Sequence, residues 1–206
     1  MQDEMDILKE IGNIASAHGS IALSEILGSR IELSVPETSI LAINSLNEKI
    51  NVDKIGIAVS SKLITGLRGK VIFLLDERNA FKLNDISYKV KKEDKNAGVL
   101  TEMGMSLIKE VGSMVTGAYV SALSMLFKEM ILLAPPSLIS GTIEEVLNMT
   151  LATSDTKDNK NLVLIDVEFK EPADNLEGNF FLVLTCETAL DIQKKCKQML
   201  EDISNR

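Results

Sequence analysis

Residues 5–36 overlay residues 105–136 at a constant offset of 100, and ten of the 32 aligned positions are identical. The identities include Lys9/Lys109, Glu10/Glu110, Gly12/Gly112, the triplets Ala22-Leu23-Ser24 and Ala122-Leu123-Ser124, Ile31/Ile131, Leu33/Leu133 and Pro36/Pro136. Other pairs are conservative, such as Ile7/Leu107, Leu8/Ile108 and Ile11/Val111. Further on, the run at 69–75 resembles that at 178–184 with an offset of 109. The nine extra residues fall near the polar stretch Thr153 to Asn161, a loop by composition. A period this long means a duplicated unit and excludes a solenoid. The expectation is therefore one domain over residues 1–206, built of repeats at about 1–100 and 101–206.

Each repeat opens with an amphipathic helix, at Asp6–Leu27 and Ser106–Phe127, and Gly28 supplies a stop for the first. Strand-like runs follow at 30–35, 38–44, 54–60 and 69–75, and again at 131–134, 137–143, 162–169 and 178–185. A second helix closes each unit, at about 77–90 and 187–202. Strands joined by short turns favour antiparallel pairing. The fold class expected is α+β: a pseudo-twofold duplicated unit with a central, mostly antiparallel sheet shared by both halves and flanked by long helices.

Composition narrows the function. With 22 Lys and Arg against 30 Asp and Glu the net charge is −8, and the pI near 4.8 argues against nucleic-acid binding, which needs a basic face. One His and two Cys leave too few ligands for a structural zinc site, and no metal site is expected. The 17-residue uncharged run from Val111 to Phe127 is diluted by Gly, Ser and Thr and reads as a buried helix, so no membrane partner is expected. Met1–Asp6 is acidic with no basic leader, Cys186 and Cys196 read as reduced thiols, and the expected compartment is the cytoplasm. Gly66-Leu67-Arg68-Gly69-Lys70 lacks Walker spacing and reads as a hairpin turn.

The chemistry sits on the first helix. Stepping by three and four from Glu10 gathers Asp3, Asp6, Asn13, Ala17, Ser20 and Ser24, all polar or small, with the apolar residues expected elsewhere. The same face of the copy carries Ser106, Glu110, Ser113, Gly117, Val120 and Ser124. A mid-helix glycine costs about 1 kcal/mol relative to alanine. Keeping it at both Gly12 and Gly112 points to close approach of another surface, for which tight packing between the two helices would suffice. Glu10 and Asn13 project side by side, offering a carboxylate and an amide, whereas His18 lies well around the helix and its copy is Ala118.

The pattern Asp6-x3-Glu10-x2-Asn13, then 22 residues and Pro36, resembles the signature of the CheC/CheX/FliY family of chemotaxis phosphatases. The second repeat reproduces it as Ser106-x3-Glu110-x2-Ser113, 22 residues and Pro136. The resemblance implies hydrolysis of the aspartyl phosphate of the response regulator CheY. In it Glu10 engages a lysine of the regulator and Asn13 orients the attacking water, with Glu110 available in the second copy. Asp6, Ala17, Ser20, Ser106 and Gly117 would line the partner-binding faces. The resemblance implies no cofactor of the chain's own, Mg²⁺ on CheY, the deamidase CheD as a further partner, and a monomer. Because serine is shorter than asparagine and lacks its paired donor and acceptor, the Ser113 copy is expected to be weak or silent. An adaptor that binds CheY or CheD with little turnover is the alternative.

Overall fold

A computed structural model describes residues 2–42, 54–87, 100–152 and 161–204. The first repeat runs α1 (Gln2–Leu27), β1 (Glu32–Ala42), β2 (Ile55–Leu63), β3 (Gly69–Asp76) and α2 (Glu77–Ser87). The second runs α3 (Glu102–Phe127), β4 (Ser137–Thr142), α4 (Ile143–Ala152), β5 (Asn161–Glu171), β6 (Leu176–Thr185) and α5 (Cys186–Ser204). The expected loop at 153–160 and the last residues of the helix expected to reach 90 lie outside the described residues.

The six strands form one antiparallel sheet in the order β1-β5-β6-β3-β2-β4. The order is a palindrome: with β1 equivalent to β4, β2 to β5 and β3 to β6, the repeats interchange about the central β6–β3 pair. Each repeat gives its first strand to the other, since β1 pairs with β5 and β4 with β2. The α+β class, the shared antiparallel sheet and the long helices are as expected.

One face of the sheet carries α1 and α3, with α2 and α5 beside them, over Val59, Phe73, Ile165, Val167, Phe180 and Leu182. Alternate residues of the same strands, Ala58, Ile72, Leu74, Leu164, Phe181 and Val183, point to the other face and meet Ile143, Val146 and Leu147 of α4. Burial on both faces explains why β2 and β3 read as nearly unbroken apolar runs. The Val111–Phe127 run is a buried core helix as expected: α3 is long and apolar enough to cross a membrane, yet Val111, Val115, Tyr119 and Leu123 pack against the sheet.

Helix α4 departs from the expected pattern, in which 137–143 is a strand and nothing helical follows. Its start is a reciprocal cap. The Thr142 amide donates to the Glu145 carboxylate at 3.0 Å, and the Glu145 amide donates to Thr142 Oγ1 at 3.2 Å. Its last turn receives the buried Lys70 ammonium on the Thr150 carbonyl. The runs 30–35 and 38–44 merge into one edge strand, β1, with a register shift between Ser34 and Glu37. Pro36 falls in that bulge, where a missing donor is tolerated. In the copy Pro135 and Pro136 remove two successive donors, and 131–134 is reduced to a bridge between Leu63 and Leu133. Gly28, at φ +65°, ends α1, and Gly66, at φ +75°, turns β2 into β3 as the hairpin reading requires.

Candidate functional site

The two opening helices are seated on the sheet through their glycines. A Cβ on Gly12 would lie 3.1 Å from Val35 Cγ2 and 3.3 Å from Ile165 Cγ2; one on Gly112 would lie 2.8 Å from Val59 Cβ and 3.0 Å from Phe73 Cδ1. The sheet makes the tightest approach at both glycines, and at Gly12 the phenol oxygen of Tyr119 on α3 also comes within 3.5 Å, so packing between the copies contributes there and the sheet alone accounts for Gly112. The helices also come close at Gly19, whose Cβ would lie 3.1 Å from Leu33 Cδ1 of β1 and 3.7 Å from the Cα of Tyr119. With Leu8, Ile11, Ala15 and Leu23 buried beneath, the opposite side of α1 faces solvent.

On that side Asp6, Glu10, Asn13 and Ala17 are exposed together. Among the described residues nothing hydrogen-bonds or pairs with the Glu10 carboxylate or the Asn13 amide, so both are free for a partner. Ser20 is placed differently. It is half-buried, and its hydroxyl accepts the Leu33 amide at 2.8 Å, tying the helix to β1. Ser24 repeats the device by accepting the Ile31 amide at 2.8 Å while donating to the Ser20 carbonyl at 2.7 Å. His18 is exposed. The expectation that apolar residues avoid this face fails: Ile14 and Ile21 lie about 40° and 20° around the helix from Glu10 and are 38% and 63% exposed.

The α3 copy holds the same positions with different chemistry. Ser106 and Glu110 are exposed, and Glu110 has no partner among the described residues. Ser113 is half-buried, and its hydroxyl donates to the Lys109 carbonyl at 2.6 Å, so the group aligned with the Asn13 amide is turned back onto its own helix. Gly117 is half-buried, with nothing within 4 Å of where its Cβ would be. Val120, counted with this face from the sequence, is buried in the core.

Below the site Tyr119 is fully buried, its ring edge-on to Phe180 at 4.7 Å between centroids. Among the described residues its phenol oxygen and the Ser16 hydroxyl are buried without a hydrogen-bond partner, and burial pushes the phenol above its ordinary value. Among the described residues no group of three or more His, Cys, Asp or Glu could hold a metal ion. Cys186 is a free thiol, and the side chain of Cys196 lies outside the described residues.

A duplicated α+β protein, with one sheet woven from both repeats and a Glu–Asn pair displayed on a long helix, is the class that fold and site define. The CheC-like family profile matches residues 4–40, the stretch that holds Asp6, Glu10, Asn13 and Pro36. The CheY-P phosphatase CheC of Bacillus subtilis is 27% identical over 130 residues, which is 62% of this chain and 61% of that protein. The flagellar motor switch phosphatase FliY of the same organism is 22% identical over 170 residues, 81% of this chain and 42% of that protein. The chain thus spans less than two thirds of the length of the curated relatives it matches. The crystal structure of Thermotoga maritima FliY shares the fold with a TM-score of 0.76 at 20% identity, covering 96% of this chain and 98% of that one. The chain is thus similar to CheC-like proteins over its opening helix and first strand, and to FliY in fold.

Proposed function

We propose that this chain hydrolyses the aspartyl phosphate of the chemotaxis response regulator CheY, with Glu10 and Asn13 as its working residues. The observation that carries this is the α1 face itself: a carboxylate and an amide, three residues apart, exposed and without a partner among the described residues. The names of the curated relatives, a CheY-P phosphatase and a motor switch phosphatase, support the same substrate.

An acyl phosphate is already activated, so the enzyme's contribution is positioning. Glu10 pairs with a lysine of the regulator and fixes its orientation. The Asn13 carbonyl accepts a hydrogen bond from a water molecule and aims its oxygen at phosphorus, in line with the bond to the aspartyl oxygen. The water oxygen bonds to phosphorus, the P–O bond to aspartate breaks, and inorganic phosphate and a free carboxylate leave. The regulator's own Mg²⁺ offsets charge on the phosphoryl oxygens. Nothing in this scheme calls for a base, a nucleophile or a metal on this chain.

Ser113 favours a subordinate reading for the second face. With its hydroxyl engaged by Lys109, that face has a docking carboxylate in Glu110 and no water-positioning group, which suits an adaptor contact to CheY or CheD. Loss of CheY phosphate, followed with the wild type, Asn13→Ala and Glu110→Ala, tests both readings. Asn13→Ala removes most of the acceleration, on the order of 100-fold, and Glu110→Ala little. Equal losses would refute the asymmetry, and a wild type that leaves the phosphate lifetime unchanged while binding CheY or CheD would replace the enzyme by the adaptor.

A further inference from the structure

The exposed face of α1 holds more than the Glu10–Asn13 pair. Ile21, 63% exposed, and Ile14, 38% exposed, stand two turns apart, about 10 Å along the axis, and bracket Ala17. A lone surface isoleucine is ordinary. Here two share the face of a working pair and stand among three exposed carboxylates, Asp6, Glu10 and Glu25, none with a partner among the described residues. The aligned face of α3 lacks this arrangement. Ser121 replaces Ile21, the half-buried Met114 packs on the core in place of Ile14, and Ser106 and Met125 replace Asp6 and Glu25.

Resting on the reading of CheY as substrate, we propose that Ile14 and Ile21 are the docking residues that seat the regulator on α1. Their loss from α3 then weakens the hold of that face on CheY independently of Ser113, leaving it the Glu110 contact alone. The occupant is a regulator surface with an apolar ledge rimmed by basic side chains, the complement of two isoleucines among three carboxylates. An exposed ion pair alone holds a partner weakly. Burying isoleucine supplies the non-directional attraction, and excluding water around Glu10 strengthens its pairing with the regulator's lysine. Ile14 and Ile21 are specificity-determining rather than catalytic, since they touch the partner's surface and not the phosphoryl group.

The test measures steady-state hydrolysis of CheY phosphate beside calorimetric binding of CheY loaded with Mg²⁺ and beryllofluoride. Ile21→Ser, which installs the residue found in the other helix, raises Kd and KM about 10-fold while kcat at saturation stays within about twofold. Asn13→Ala shows the opposite split, and Met125→Ser on α3 changes neither constant. In an Asn13→Ala background, Ser113→Asn restores turnover only when combined with Ser121→Ile. Thermal melts confirm that each variant is folded. Unchanged Kd and KM in both Ile14→Ser and Ile21→Ser would overturn the docking role while leaving a phosphatase in place. Weakened binding by a protein that shows no turnover would support docking and refute catalysis alone. A wild type that neither binds nor dephosphorylates CheY would overturn both.

Discussion

Replacing each seating glycine by alanine separates what holds the helices from what the site needs. Removing a mid-helix glycine gains about 1 kcal/mol of helix propensity. At Gly112 the new Cβ would sit 2.8 Å from Val59 Cβ, against the roughly 3.5–4.0 Å of ordinary carbon contacts. Val59 Cβ is rooted in the strand, so α3 and β2 must separate by most of 1 Å. Overpacking of that kind costs about 1–3 kcal/mol, which leaves a net loss of up to about 2 kcal/mol, or about 4–8 °C in Tm for a chain of this length. At Gly12 the contacts are methyl ends at 3.1 and 3.3 Å. These give way by a few tenths of an ångström, and the cost roughly cancels the helix gain. That small lift nevertheless moves Asn13, the next residue. Because about 1 Å of misplacement costs on the order of 100-fold, Gly12→Ala slows phosphate release several-fold at nearly unchanged stability. Urea unfolding and CheY-phosphate decay, run on the same preparations, check both halves. If both variants gained about 1 kcal/mol and kept full rate, the account of helices pinned to the sheet at these glycines would be wrong.

Other substitutions follow from single contacts. Ser113→Ala leaves turnover within error in the decay assay, because its hydroxyl already serves the Lys109 carbonyl. Tyr119→Phe deletes a buried hydroxyl that has no partner and is neutral or stabilising by up to about 1 kcal/mol, measured by urea unfolding. The same phenol is held neutral in the fold by burial, so fold stability is unaffected below the ordinary tyrosine value and falls as pH rises above it, where only the unfolded chain ionises freely. Wild type should therefore lose stability above about pH 10, and Tyr119→Phe should lose less. Ser24→Ala removes the acceptor of the Ile31 amide and costs about 1 kcal/mol, read as a lower Tm.

Much of this architecture was legible because the duplication makes each reading twice. Two long helices of equal length, strands in matching order and a Glu carried at the same place in both copies left few topologies to consider. Helix α4 went unread because Ser137–Thr142 runs into Ile143–Ala152 with no intervening residue, and Gly141 lies inside the strand pattern instead of after it. The Thr142-x-x-Glu145 spacing was nonetheless a capping signal in plain view. The site was legible in its motif and misjudged in its surroundings. Apolar character made Ile14 look like core, but which side of α1 is buried is decided by where Val35 and Ile165 meet Gly12. Ser20 looked available until β1 placed the Leu33 amide against it. That contact depends on the path of the chain after the helix, which no helical periodicity encodes.

The palindromic sheet has a consequence for the order in which the protein comes into being. Strand β1 is made early, yet its partner β5 is near the other end, with Glu32 opposite Lys170. While the first repeat leaves the ribosome, α1 has Val35 beneath it but lacks Ile165, the other side chain that receives Gly12. The helix bearing Glu10 and Asn13 is thus synthesised well before β5, the strand that completes its seat. Contacts this distant along the chain fold slowly. A chain cut anywhere before β5 keeps the whole signature motif but lacks Ile165, half of the bed on which Gly12 rests.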